Sequence, residues 1–243
     1  MKSWLQRFSS KTRLAALTEF SRLPDLWCEA ACPLCHRSTP QDFCLDCQRQ
    51  LQQLKIPVAR QVWQPPLPVF AWGHYNGSLK RAIATLKYEN QPQLARPLGQ
   101  WLAHSWLQFA PRCEKTKLIV VPIPMHLAKQ QQRGFNQAEL LAKVFCQVTR
   151  LPLSAQVLTR QRSTEAQFGL SWAAREHNLA NAFTVSDSKI LHRSSQTAVL
   201  LLDDIYTSGA TARSAAQILR RHQISVYGVV AVAKASSEAS PKV

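Results

Sequence analysis

The chain has 243 residues, of which 46% are hydrophobic, so it can form one sizeable α/β domain and a small additional module. It contains no apolar run long enough to span a membrane and no export signal, which predicts a cytoplasmic protein without a transmembrane segment. The net charge of +16 attracts polyphosphates or a nucleic-acid backbone, or simply keeps a basic surface in solution.

The N-terminal segment, residues 1–27, predicts a basic amphipathic helix. Its apolar residues recur at roughly helical spacing, and Lys and Arg residues stand between them. A helix of this kind packs on its own domain, or lies on an anionic membrane or on a partner. The sequence leaves these possibilities open.

Four cysteines in residues 28–64 form two pairs, Cys32-x-x-Cys35 and Cys44-x-x-Cys47. This spacing lets four thiolates converge on one structural zinc ion. Disulfide bonds are the alternative, but they conflict with a reducing cytoplasm. Cys28 could replace one ligand, although its position after two apolar residues fits a packed thiol better.

A stiff proline-rich segment near residue 64 separates this module from a second domain, residues 65–243. Strands and helices alternate in that domain, which predicts an open, doubly wound parallel sheet that binds ligands beyond its strand carboxyl ends. The predicted strands are 69–75, 118–123, 198–202 and 226–232, and the predicted helices are 78–88, 93–108, 136–148 and 212–222.

The predicted strand 118–123 leaves the sheet through prolines, so a loop must follow at the end of the sheet. Arg133 and Gly134 in that region supply charge and backbone access, and Asn136 or Gln137 could donate to an anion at a helix N-terminus. An ordinary capped helix is the alternative.

The polar residues between 160 and 183 follow no single helical or strand face. This pattern favours a mobile hood that carries Arg160, Arg162 and Gln167 over a ligand. A solvated surface loop is the alternative.

Residues 199–211 are the most informative segment of the chain. Four apolar residues predict a strand buried on both faces, and a tight turn leads into a helix. The N–H groups of the helix N-terminus favour a phosphate, and Gly209 allows a close backbone approach. Two carboxylates accept hydrogen bonds from the paired hydroxyls of a ribose. The segment therefore fits a ribose 5-phosphate, with candidate binding residues Asp203, Asp204, Thr207, Ser208, Gly209, Ala210 and Thr211.

This segment resembles the phosphoribosyl pyrophosphate (PRPP) signature of type I phosphoribosyltransferases. From about Cys32 to Lys234 the chain resembles the ComF family, which joins a four-cysteine zinc module to a phosphoribosyltransferase-like domain. The segments above carry the resemblance, together with Tyr75-x-Gly77 and Leu86-Lys87-Tyr88.

The resemblance implies a type I phosphoribosyltransferase-like open parallel sheet with a small N-terminal zinc-binding module. It also implies that Arg133 and its neighbours form a pyrophosphate loop, and that PRPP binds together with Mg²⁺. The expected role is cytoplasmic, in natural transformation. Its expected partners are single-stranded DNA and competence proteins at the inner membrane.

Two functions follow from these residues. A binding protein would hold PRPP or a DNA 5′-phosphate while its basic face follows single-stranded DNA. An active phosphoribosyltransferase would move ribose 5-phosphate from PRPP to a nitrogenous acceptor, with Mg²⁺ assisting the departure of pyrophosphate. The sequence identifies neither a catalytic residue nor an acceptor pocket, so it favours the PRPP-binding DNA-uptake factor.

Overall fold

The computed structural model describes residues 30–110, 116–161, 182–186 and 196–235. The predicted N-terminal helix, Cys28 and most of the predicted hood, with Arg162 and Gln167, lie outside the described residues. Among the helices described, none has the length and apolar character needed to cross a membrane.

The elements follow one another in α/β order. In chain order they are β1 (Ala30–Ala31), β2 (Ser38–Thr39), α1 (Leu45–Gln52), β3 (Val69–His74), α2 (Gly77–Tyr88), α3 (Ala95–Phe109), β4 (Lys117–Pro122), α4 (Leu127–Arg133), α5 (Gln137–Thr149), β5 (Leu158–Arg160), β6 (Phe183–Val185), β7 (Thr197–Tyr206), α6 (Ala210–Arg221) and β8 (Ser225–Lys234). Short 3-10 turns occupy Val58–Arg60 and Pro92–Leu94.

The central sheet has the strand order β3-β8-β7-β4, and all of its pairings are parallel. This confirms the predicted open parallel sheet. Two smaller antiparallel pairs, β1 with β2 and β5 with β6, lie outside it.

β7 is covered on both faces, as its apolar run predicts for a strand within a parallel sheet. Leu200 and Leu202 belong to the larger buried cluster, together with residues of α2, α3 and α5. Val199 and Leu201 belong to a second cluster, with residues of α6, β5 and β6. Because successive residues of a strand face opposite sides, β7 joins the two halves of the core.

The cysteine-containing module packs against one edge of this sheet. Ile56 N–H donates to the carbonyl of Trp72 at 2.8 Å, so the chain after α1 runs alongside β3. The ring of Trp101 on α3 stacks on Phe43 with centroids 5.7 Å apart and on Trp72 at 5.1 Å. The module therefore shares buried surface with the sheet domain.

The structure differs from the predicted elements at the ends of β7 and α6 and between β4 and α5. β7 runs on to Tyr206, so Asp203 and Asp204 belong to the strand, and α6 begins at Ala210. The chain after β4 forms a short helix, α4, that the sequence did not predict. This helix has no buried residue, which removes the apolar periodicity by which a helix is recognised.

Candidate functional site

The end of β7 extends past its neighbour β4. The last pair of the β4–β7 ladder is Pro122 opposite Leu202, and Ile123 N–H then donates to the Leu202 carbonyl at 2.8 Å. β7 continues along β8 as far as Tyr206 opposite Lys234. The Asp203–Tyr206 segment therefore lies at the carboxyl edge of the sheet, where ligands of open α/β sheets bind.

Asp203 and Asp204 form a close pair at this edge. Asp204 is 4% exposed, and its backbone N–H donates to Oδ1 of Asp203 at 2.8 Å. Burial and then the negative charge of Asp204 raise the pKa of Asp203 well above its usual range, whereas Lys87 lowers it. The site thus concentrates acceptor oxygens where little water competes for them.

Lys87, near the end of α2, reaches the acid pair. Its Nζ lies 2.5 Å from Oδ2 of Asp204, and the two side chains are only 16% and 5% exposed. The contact is an ion pair without hydrogen-bond geometry. The sequence motif Leu86-Lys87-Tyr88 contains this lysine, but spacing along the chain does not indicate that Lys87 contacts Asp204.

Of the three predicted hood residues Arg160, Arg162 and Gln167, the structure describes Arg160, the last residue of β5. Its guanidinium carbon lies 5.6 Å from the centroid of the Phe183 ring in β6. Burial lowers the pKa of Arg160, and the nearby charge of Asp203 acts in the opposite direction. The charges of Arg160 on β5 and Asp203 on β7 therefore act on each other across the fold.

The loop after β7 is shaped by Gly209, which has φ +75° and precedes the first residue of α6. A Cβ atom at this position would collide with the Tyr206 hydroxyl. Arg213 Nη1 donates to the Ser208 carbonyl at 2.7 Å and braces the loop. The predicted residues Thr207 and Ser208 are exposed in the loop, and Ala210 and Thr211 lie in the first turn of α6. The free N–H groups of this first turn point toward the carboxyl edge of the sheet.

Arg133 ends α4 and points toward the corner of α2. Its Nη1 donates to Oε1 of Gln137 at 2.6 Å, and its guanidinium carbon lies 5.2 Å from the centroid of the Tyr88 ring. Gly134 follows with φ +83°, and no atom lies within 4 Å of the place a Cβ would take. The ring contact places Arg133 against the exposed end of α2.

Asn136 has a capping role in the structure. Its Oδ1 accepts from Ala138 N–H at 3.1 Å at the start of α5, and its Nδ2 donates to the Ile123 carbonyl at 3.3 Å. The side chain is buried and joins α5 to the end of β4. His126 caps α4 in a similar way, since its Nδ1 accepts from Ala128 N–H at 3.3 Å.

Cys32, Cys35, Cys44 and Cys47 bring their Sγ atoms within 4.8 Å of one another, so the cluster could hold a metal ion. Cys35 Sγ and Cys44 Sγ are 3.4 Å apart. A tetrahedral ion with bonds of about 2.3 Å needs sulfur atoms about 3.8 Å apart, so the arrangement fits a tetrathiolate site.

Local structure builds this cluster. Cys32 and Cys35 lie in the turn between β1 and β2, where Cys32 N–H donates to the Arg37 carbonyl at 2.8 Å. Cys44 precedes α1, and Cys47 lies in its first turn. Burial raises the pKa of Cys32, but hydrogen bonds from the backbone N–H groups around it outweigh that effect and bring the pKa to about 7. Such a thiol gives up its proton readily to a metal ion.

No family model matches the chain. The chain is 30% identical over 198 residues to Competence protein F of Haemophilus influenzae, an alignment that covers 77% of this chain and 83% of the relative. The chain belongs to the ComF family. DNA utilization protein YhgH of Salmonella typhimurium is 28% identical over 198 residues, covering 79% and 84% of the two chains. Competence protein ComFC of Bacillus subtilis is 25% identical over 198 residues, covering 77% and 70%.

Among solved structures, adenine phosphoribosyltransferase of Leishmania tarentolae aligns with 77% of this ComF-family chain and 86% of its own. The sequence identity is 12% and the TM-score is 0.37, a similarity too weak to define the fold. The fold therefore rests on the parallel sheet itself, and the family on the sequence relatives.

Proposed function

We propose that this ComF-family chain is a phosphoribosyltransferase-like protein that binds PRPP and assists the uptake of single-stranded DNA in natural transformation. The observation that carries the proposal is the position of Asp203 and Asp204 beside the loop before α6, at the carboxyl edge of the parallel sheet. Acceptors for a sugar diol and donors for a phosphate follow one another there, as a ribose 5-phosphate requires.

In this proposal each part of PRPP has its own residues. Asp203 and Asp204 accept hydrogen bonds from the ribose hydroxyls. The 5′-phosphate is bound by the backbone and hydroxyl groups of residues 207–211. Gly209 supports this role, because its positive φ favours glycine and a Cβ atom there would have to displace the Tyr206 ring.

The pyrophosphate of PRPP is assigned to Arg133 and Gly134, with Gln137 beside them. The ring contact of Arg133 with Tyr88 supports this assignment, because it holds Arg133 against the end of α2, the helix whose Lys87 pairs with Asp204. Mg²⁺ would enter with PRPP and neutralise part of the pyrophosphate charge. Arg160 near Asp203 agrees with a hood over the ligand, in which Arg162 and Gln167 are further predicted members.

The cysteine cluster is proposed to hold a structural zinc ion, because four thiolates at tetrahedral spacing favour that metal. The chain is proposed to consist of a basic helix 1–27, a zinc module 28–64 and a phosphoribosyltransferase-like domain 65–243. We also place the protein in the cytoplasm, where thiolates stay reduced.

Single-stranded DNA is the proposed macromolecular partner, and competence proteins at the inner membrane are expected beside it. The net charge of +16 supports binding to a phosphate backbone. Relatives carry the names Competence protein F and DNA utilization protein. The basic surface is proposed to follow the DNA strand, while Asp203, Asp204 and residues 207–211 hold PRPP.

A second candidate function is phosphoribosyl transfer to a nitrogenous acceptor. The closeness of Arg133 to the corner of α2 that meets Asp204 favours it, since the leaving pyrophosphate and the ribose would then be held by one site. Release of pyrophosphate from PRPP in the presence of an added base would distinguish transfer from binding alone.

The proposal is tested by calorimetric titration of the full chain with PRPP and Mg²⁺, with and without single-stranded DNA. The variant Asp203→Asn/Asp204→Asn should bind PRPP at least about 100-fold more weakly, because two charge-assisted hydrogen bonds contribute about 1.5–3 kcal/mol each. Asp46→Asn, which changes an exposed carboxylate of α1, should bind like the wild type.

Absence of PRPP binding by the wild type would overturn the proposed ligand. If the double variant keeps its DNA affinity, the DNA lies on the basic surface away from the acids. Equal loss of both ligands would contradict separate sites for PRPP and DNA.

A further inference from the structure

Lys87 lies in the ligand site, but the roles proposed above do not use it. Leu86 beside it is fully buried in the main core, which fixes the end of α2 relative to β7. The Lys87 ammonium therefore does not arrive at Asp204 by free rotation of a surface side chain. Its 16% exposure and the 5% exposure of the Asp204 side chain make this a largely buried ion pair.

Two cations act on the acid pair: Lys87 from α2 forms an ion pair with Asp204, and Arg160 from β5 interacts through its charge with Asp203. Two neighbouring carboxylates in a desolvated place tend to keep one proton between them. A protonated carboxyl group is a weaker acceptor for a sugar hydroxyl than a carboxylate is. The Lys87 ammonium beside Asp204 opposes that protonation and also limits the movement of the Asp204 carboxylate.

We propose that Lys87 is a positioning residue of the ligand site, whose ammonium holds Asp204 through their ion pair so that Asp203 and Asp204 meet a sugar diol as a fixed pair of carboxylates. The inference rests on the proposed function, since the diol in question is the ribose of PRPP. Lys87 acts through Asp204 and makes no contact with the phosphates.

A pH dependence follows from this arrangement. Loss of the ammonium raises the pKa of Asp203 further, because the Lys87 charge lowers it. The doubly ionised pair is then less populated at mildly acidic pH and regains its population as the pH rises. PRPP affinity relative to the wild type should fall on the acidic side and recover on the alkaline side.

The test compares Lys87→Met, Lys87→Arg and the wild type, with Lys80→Met as the matched control. Lys80 lies on the exposed face of the same helix. In the first arm, the carboxyl carbons of ¹³C-labelled aspartates are titrated by NMR without ligand and assigned with Asp203→Asn and Asp204→Asn. In the second, PRPP–Mg²⁺ affinity is measured at a mildly acidic and a mildly alkaline pH, as a ratio to the wild type at each pH.

For Lys87→Met we expect the titration midpoint of Asp203 to rise by about one unit or more, a tenfold change in proton affinity. Its affinity deficit should be at least about tenfold larger at the acidic pH than at the alkaline pH. Lys87→Arg keeps the charge, so its pH profile should follow the wild type even if its overall affinity changes. Lys80→Met should match the wild type in both arms.

Unchanged carboxyl titration in Lys87→Met would overturn the proposal. A loss of PRPP affinity of equal size at both pH values would also overturn it, because it would indicate direct contact of Lys87 with the phosphates. If Lys87→Met does not fold, the Lys87→Arg variant decides the question. A pH profile in Lys87→Arg that differs from the wild type would also overturn the proposal. If the wild type binds no PRPP, the proposed function fails, whereas the titration arm still decides whether Lys87 controls the acid pair.

Discussion

The cysteine cluster and the acid site are built in opposite ways. All four thiols come from one short stretch, and a turn and the first turn of α1 bring them together. The acid site combines the end of β7 with Lys87 from α2 and with the charge of Arg160 from β5, and Arg133 from α4 contacts Tyr88 at the end of the same α2. The first site depends on local geometry, and the second on the packing of elements that are distant in the chain.

This difference predicts different responses to substitution. A local tetrathiolate site contributes folding free energy directly, because the ligands form a site only in the folded module. A site assembled from several elements can lose one charged group while the surrounding core keeps its shape, since Leu200 and Leu202 of β7 remain fully buried. Substitutions in the cysteine cluster should therefore destabilise the fold, whereas substitutions in the acid site should mainly change ligand affinity.

Cys47→Ser should have the largest effect. Cys47 is 3% exposed, and loss of its thiolate should remove the metal and lower the free energy of unfolding by several kcal/mol, because structural zinc contributes about 10–16 kcal/mol in small peptides. Metal analysis and chemical denaturation measure both effects, and the wild type should contain about one zinc per chain.

Cys146→Ala is the matched control for this prediction. Burial raises the pKa of the Cys146 thiol to about 12, so this residue is a packed thiol at neutral pH. The control should keep its zinc. Wild-type protein without zinc, or equal destabilisation by both variants, would contradict a metal-dependent module.

Gly209→Ala should disturb the acid site without unfolding the chain. The positive φ and the collision with Tyr206 should cost about 1–3 kcal/mol locally and weaken PRPP binding, because the loop must shift away from the phosphate. Gly77→Ala also places a side chain at positive φ, but its nearest neighbour there is the Leu54 side chain, 3.8 Å away. Calorimetry should show weaker PRPP binding in the first variant alone, and an equal loss in both would argue against a phosphate at Gly209.

Arg133→Gln should have the smallest effect, a loss of PRPP affinity of about tenfold, equivalent to about 1.4 kcal/mol. The affinity for ribose 5-phosphate should stay unchanged, because that ligand lacks the pyrophosphate. Competition binding with the two ligands measures the difference. A similar loss for both ligands would assign Arg133 to the structure of the α4–α5 corner, where it already bonds to Gln137.

Much of the fold follows from local pattern. The apolar run before Asp203 predicts a central parallel strand, and the structure confirms it with Val199 through Leu202 fully buried. The antiparallel pair β5 and β6 was not predicted, because its strands are short and lie far apart in the chain. Pairing of that kind depends on long-range contacts, which periodicity does not register.

The sequence predicts the alternating α/β elements, the four-cysteine cluster and the two acids that precede the glycine loop before α6, because each leaves a pattern in residues that are close in the chain. Only the tertiary structure placed Lys87 on Asp204, Arg160 near Asp203 and Arg133 on Tyr88. The reason is physical: a side-chain charge interacts over a few ångströms of space, and the packing of helices on a sheet decides which distant residues come within that distance.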